Sequence, residues 1–211
     1  MQVARARSAA HVRKHGKADV LPAEAREYLW LEAAASQVFV YEGQRVPALL
    51  RAEAYARAIA EHDPLVPAGT EGRAADALAA RQRAVLGAGH PELVMVIGEA
   101  ALRQQVGGAK VMRAQLARLA ALSADSDRAT ILVLPFASGA HAGAGSGPVT
   151  IFGFGQATPG LSAVHQAGLS GGIFLDSSGD LDAHAVAFTR LRASALGTQD
   201  SARLLCRMAG R

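Results

Sequence analysis

Ionisable side chains lie before and after a continuous apolar run, LVMVI at residues 93–97. Arg81 precedes this run in a helical pattern, and Glu99 and Arg103 follow it. The spacing of four residues places Glu99 and Arg103 on one face of a helix. At the mouth of a sheet such groups can line a pocket, where a carboxylate exchanges protons and a guanidinium binds acceptors with its fixed fork of donors.

Two further charged residues, Glu32 and Arg57, belong to earlier helical segments and could complete this constellation. We take Glu32 and Glu99 as candidate catalytic residues, and Arg57, Arg81 and Arg103 as candidate ligand-binding residues. An alternative interpretation needs no ligand, because the same side chains could form buried ion pairs that hold helices together. The sequence leaves both interpretations open.

Two histidines are also candidate catalytic residues, because an unperturbed imidazole titrates near neutral pH. His141 lies in the loop GAHAGAGSG at residues 139–147, and His165 lies in the strand-like segment AVHQAG. Strand alternation places His165 on the opposite face from Val164. The alternative for His141 is an exposed loop residue without a chemical role.

Several common site chemistries lack their sequence signatures. The glycine-rich loop leads into the strand pattern VTIF and carries no lysine, so it does not match a phosphate-binding loop. The chain has one cysteine, Cys206, and no H-E-x-x-H or G-x-S-x-G motif. We therefore expect no metal site, no serine hydrolase and no cofactor.

Length and charge indicate one near-neutral folded domain. The 211 residues are half hydrophobic, which suffices for a single core. Five basic and no acidic residues fall within 1–18, so the net charge of +4 leaves −1 for residues 19–211. We expect residues 1–20 to be a basic, weakly ordered segment and residues 21–211 to be the domain. No disulfide can form within the chain and no apolar run could span a bilayer, so the expected location is the cytoplasm.

The order of elements predicts an α+β fold: a small mixed sheet of about five strands flanked by helices, in a single domain. Continuous apolar runs such as LVMVI and ILVL predict buried strands. Amphipathic patterns predict the helices, and the final one is expected to be capped by Thr198. Glu24 lies near the positive end of the first helix dipole, which is favourable for an acidic side chain, and the sequence indicates no other role for it. We find no helix-turn-helix pattern, so specific DNA binding is not expected.

Order and spacing of several segments resemble one known family. They are RQRAVL at 81–86, LVMVI followed by GEAALR, VGG at 106–108, MRAQLARL, and ILVLPF. Roughly residues 20–208 resemble the C-terminal domain, DUF5753, of the WhiJ-type or Scr1-type antitoxin-like regulators of actinobacteria. Such regulators usually begin with a helix-turn-helix domain, which we do not detect here.

The resemblance also implies a partner and one departure. Related domains pair with a small BldB-type protein of the DUF397 group. They commonly carry an acidic residue at or near the position of Gln166, whereas this chain has no Asp or Glu from Phe136 to Leu175. Gln166 is kept as a candidate ligand-binding residue.

Two functions follow as expectations. The first is a stand-alone regulator-derived module that binds a small ligand or a protein and does not itself bind DNA. The second is a repurposed natural-product biosynthetic enzyme of the cyclase or isomerase type, in which an apolar pocket orients the substrate and one acid or base acts on it. The corresponding partners are the small DUF397 protein or a small apolar molecule, and a homo-oligomer is the alternative assembly.

Overall fold

The computed structural model describes residues 22–87, 91–124, 129–155, 162–169 and 171–210. The predicted weakly ordered segment at residues 1–20 lies outside them. The described part is a single α+β domain with one mixed sheet flanked by helices, as the sequence predicts. The sheet has six strands, compared with the predicted number of about five.

The sheet has the strand order β3-β2-β1-β4-β5-β6. Strands β1, β2 and β3 run parallel, and β4, β5 and β6 add to the other edge of β1 in antiparallel order. The strands are β1 (Gln37–Glu42), β2 (Glu92–Gly98), β3 (Thr130–Leu134), β4 (Val149–Gly153), β5 (Ser162–Gly168) and β6 (Gly171–Leu175).

Helices make the connections between the parallel strands, as the geometry of parallel pairing requires. Two helices lie between β1 and β2, and two lie between β2 and β3. The helices are α1 (Ala23–Ala34), α2 (Glu53–Ala60), α3 (Glu71–Val85), α4 (Glu99–Arg103), α5 (Gly108–Ala124), α6 (Ser178–Ser194) and α7 (Thr198–Met208).

The two faces of the sheet are covered unequally. Strand residues such as Val38 and Met95 face a large core to which every described helix except α6 contributes. On the other face a smaller cluster packs against Phe188 and Leu191 of α6. Both faces of β2 are therefore buried, which explains its continuous apolar sequence.

Local geometry corrects two helix boundaries. The segment PALLRAEAYARAIAEHD, which begins at Pro47, has the sequence pattern of one continuous helix. In the structure it is divided into a 3-10 turn, Ala48–Leu50, and α2, because Arg51 and Ala52 are extended. The buried side chain of Gln115 fixes this break by accepting from Ala52 N at 2.7 Å and donating to Leu50 O at 3.0 Å. At α7 the cap residue is Gly197, and the predicted cap Thr198 is the first helical residue.

Candidate functional site

A cavity of about 470 Å³ lies between the sheet and the helices α1 and α3. One cross-strand row forms part of its wall, because Met95, Val40, Thr150 and His165 are successive register partners on β2, β1, β4 and β5. Side chains in register on neighbouring strands share one face of the sheet. Alanine and leucine residues of α1, α3 and the 3-10 turn complete a mostly apolar lining.

Helix α1 positions three polar side chains toward this wall. Glu24, Tyr28 and Glu32 are four residues apart, so they share one helical face. Glu24 Oε1 is 2.8 Å from His165 Nε2, and the Tyr28 hydroxyl is 3.2 Å from Thr150 Oγ1. The Tyr28 ring also contacts the His165 ring edge-on at 5.0 Å between centroids. The orientation of the imidazole is therefore fixed from two sides.

Arg81 of α3 is the cation in the cavity lining. Its Nε and Nη2 each donate to one oxygen of Glu32 at 2.6 Å, and its guanidinium lies 5.0 Å from the centroid of the Tyr28 ring. Burial alone would lower the pKa of Arg81, but the hydrogen bonds and charge of Glu32 hold it above the ordinary value. Glu32 is 1% exposed, and its two hydrogen bonds hold the guanidinium of Arg81 in place. Arg81 in turn lines the cavity.

Glu42, at the end of β1, has an unusual position for a carboxylate. It is 8% exposed, and its Oε2 has no hydrogen-bond partner among the described residues. Burial raises the pKa of Glu42 to about 7, although the nearby charges of Arg45 and Arg51 oppose this shift. A carboxyl group with such a pKa can exist in either protonation state near neutral pH, as acid–base chemistry requires.

A second cavity of about 350 Å³ opens where the parallel strands β1, β2 and β3 end. Glu99 and His141 line it, together with Glu42. Glu99 accepts from Phe136 N at 2.8 Å and from Arg103 Nε at 2.7 Å. These interactions, the backbone hydrogen bond foremost, hold the pKa of Glu99 below its usual value. Glu99 is therefore an anion that joins α4 to the turn after β3.

The sequence of the chain matches a known protein family. The family described as a domain of unknown function, DUF5753, matches residues 25–207. The chain belongs to the DUF5753 family. Comparison with curated proteins and with solved structures gave no match.

We call the cavity between the sheet and the helices α1 and α3 the principal cavity. The remaining predicted site residues of this DUF5753 domain lie apart from it. Arg57 forms an exposed pair with Glu53 at 3.3 Å. Gln166 is on the opposite face of β5 from His165, with its Nε2 2.9 Å from His184 Nε2. The structure thus brings Arg81 and His165 together and separates both from Arg57 and Gln166.

Three residues that line the principal cavity were not predicted as site residues from the sequence. Glu24 and Tyr28 are ordinary helix residues until α1 is placed against β4 and β5. Glu42 did carry a signal: Val38, Val40 and Glu42 share the core-facing phase of β1. An acid in that phase must be buried, and buried acids are rare unless paired.

Two absences hold for the described part of this DUF5753 domain. It contains no group of three or more His, Cys, Asp or Glu side chains that could hold a metal ion. Within the same residues, none of the helices combines the length and the apolar character needed to cross a bilayer.

Proposed function

We propose that this DUF5753 domain is a ligand-binding module, and that the cavity between α1, α3 and the sheet binds a small molecule with an apolar body. The ligand directs a hydrogen-bond acceptor or an anionic group toward Arg81. One observation carries the proposal: a mostly apolar cavity whose guanidinium is held by Glu32 on one side and by the Tyr28 ring on the other.

Physical features of the cavity support ligand binding over simple packing. Its volume of about 470 Å³ lies in the range of small-molecule sites, which combine apolar walls with a few fixed polar groups. Arg81 and His165 are both oriented by buried or half-buried partners, so little side-chain freedom is lost when a ligand binds.

The likeness to WhiJ-type regulators supports a regulatory use of this binding. In that setting the domain senses a small molecule and changes its contact with another protein, and a small DUF397 protein is the partner that the likeness suggests. In such regulators the DNA-binding step belongs to a separate helix-turn-helix domain.

The first experiment measures binding of anilinonaphthalene sulfonate, a fluorescent probe with an apolar body and one anionic group. Wild-type protein is compared with the double variant Glu32→Leu/Arg81→Met, which removes the cation without leaving a buried carboxylate unpaired. We expect the affinity to fall about tenfold or more, because charge-assisted hydrogen bonds of this kind contribute about 1.5–3 kcal/mol.

Arg57→Met is the matched control, since Arg57 lies in an exposed pair outside the cavity. Its affinity for the probe should equal that of the wild type. Equal affinity of all three proteins would contradict the assignment of Arg81 as the recognition residue. Native mass spectrometry of protein purified from its host then distinguishes a retained small molecule from a small protein bound at fixed stoichiometry.

One observation favours a second candidate function, an acid–base enzyme of the cyclase or isomerase type. Glu42 presents a buried carboxyl group beside a mostly apolar cavity, and its Oε2 has no hydrogen-bond partner among the described residues. If a retained molecule is recovered, it is incubated with wild-type protein and with Glu42→Gln. Isomerisation by the wild type alone supports the enzyme, and an unchanged molecule in both samples supports the binding module.

A further inference from the structure

Glu42 stands at the boundary between the two cavities. Of the lining residues, only Glu42 and Pro148 are common to the principal cavity and to the smaller one at the ends of β1, β2 and β3. Val40, two residues earlier on the same face of β1, also lines the principal cavity. The Glu42 side chain is therefore part of the partition between the two spaces.

Glu42, which forms part of this partition, has a side-chain oxygen without a hydrogen-bond donor among the described residues. Glu42 is more than nine-tenths buried, and its Oε2 accepts from no group within the described residues. A buried carboxylate oxygen without a donor costs free energy comparable to a lost hydrogen bond or more. The fold retains this cost beside a cavity, where an incoming molecule can supply the missing donor.

We propose that Glu42 is the specificity-determining contact of the cavity, and that the ligand carries a neutral hydrogen-bond donor, a hydroxyl or an amide N–H, on an apolar body. This inference rests on the proposed ligand-binding function. It adds a donor at the partition to the acceptor or anionic group expected at Arg81.

The surrounding charges explain why the donor is neutral. The positive charges of Arg45 and Arg51 both oppose the rise in the pKa of Glu42, and Arg81 lines the same cavity. Tyr41 and Tyr55 are the other titratable groups whose charges couple to Glu42. A ligand ammonium would enter a region already rich in guanidinium groups, whereas a hydroxyl satisfies Oε2 without adding charge.

The test uses a matched pair of probes, a naphthol and the corresponding methoxynaphthalene, which differ in whether they can donate a hydrogen bond. Wild-type protein should bind the naphthol about tenfold more tightly, because a site built for a donor leaves its acceptor unpaired with the methyl ether. In Glu42→Leu the two affinities should become equal. Binding is followed by probe fluorescence at pH 7.

Glu27→Leu, a change at an exposed acid on α1, is the control and should keep the tenfold preference. Equal binding of the two probes to wild type, or a preference that persists in Glu42→Leu, would overturn the inference and leave the ligand-binding proposal standing. Failure of both probes to bind the wild type would count against both proposals. Melting temperatures check folding, and Glu42→Leu should be no less stable because it removes an unpaired buried acid.

Discussion

At the scale of single residues, the pair formed by Glu32 and Arg81 shows how burial changes the value of an interaction. Glu32 is 1% exposed, and both of its oxygens accept from Arg81. The pair formed by Glu53 and Arg57 has the same chemistry but lies in solvent. Loss of the cation leaves a buried charge in the first case and a solvated one in the second.

Arg81→Met should therefore lower the free energy of unfolding by about 3 kcal/mol or more, whereas Arg57→Met should change it by less than about 0.5 kcal/mol. Urea unfolding followed by circular dichroism measures both values. The double variant Glu32→Leu/Arg81→Met should regain much of the loss, since no buried charge remains. Similar effects of the two single changes would show that the Glu32 carboxylate is solvated.

Glu42 predicts a specific pH dependence of stability. Its pKa is about 7 in the folded protein and near the ordinary value of 4.5 when unfolded. The folded state thus holds a proton that the unfolded state has released between these values, so the Glu42 contribution to stability is greatest below pH 4.5 and is lost as the pH rises to 7.

Glu42→Gln removes this titration, so the variant should gain stability relative to wild type between pH 5 and pH 8, by about 2–3 kcal/mol at the upper end. Urea unfolding of both proteins across this range gives the difference, in which the other titrating groups largely cancel. A difference that does not change with pH would mean that Glu42 is ionised in the folded protein.

At the scale of elements, the close approach of two turns determines how near the ends of β1 and β2 lie to each other. Gly98 ends β2, and a Cβ placed on it would lie 2.5 Å from Gly43 O in the turn after β1. Both turns line the second cavity. Gly72 lies within α3, and nothing approaches a Cβ there within 4 Å.

These two glycines should respond oppositely to alanine. Gly72→Ala should stabilise the protein by about 0.5–1 kcal/mol, because glycine within a helix costs backbone entropy. Gly98→Ala should destabilise it by about 1–3 kcal/mol, because the turns must separate to admit a methyl group. Thermal unfolding of the two variants makes the comparison. Stabilisation by Gly98→Ala would mean that the two turns do not meet.

At the scale of the whole molecule, burial falls from the centre of the sheet toward β6. β1 pairs on both sides and β2 is buried on both faces. Among the described strands, β6 lies at the edge of the sheet, pairs only with β5, and has no fully buried residue. Local opening is easiest where few apolar contacts must be broken.

Hydrogen exchange followed by mass spectrometry should reflect this gradient. Peptides that contain β1 and β2 should exchange slowest and those that contain β6 fastest, while a bound ligand should slow exchange in α1 and α3 as well. Slow exchange in β6 of the free protein would indicate that this edge is covered in solution, as in a homo-oligomer.

The sequence by itself determined the α+β class, most element positions and the family. Apolar runs and helical periodicity are local properties that survive in any arrangement of the elements, so they can be read without coordinates. The break before α2 was missed because Gln115, more than sixty residues away, stabilises it.

Only the tertiary structure decided which ionisable groups meet. Glu32 contacts Arg81 across 49 residues, and Glu24 contacts His165 across 141, because strand order and helix placement bring them together. The same packing buries Glu42 and raises its pKa. The sequence states which residues are charged, but their burial and their partners arise only when separate elements pack. These two properties determine whether a buried carboxylate, such as that of Glu32, is paired with a guanidinium.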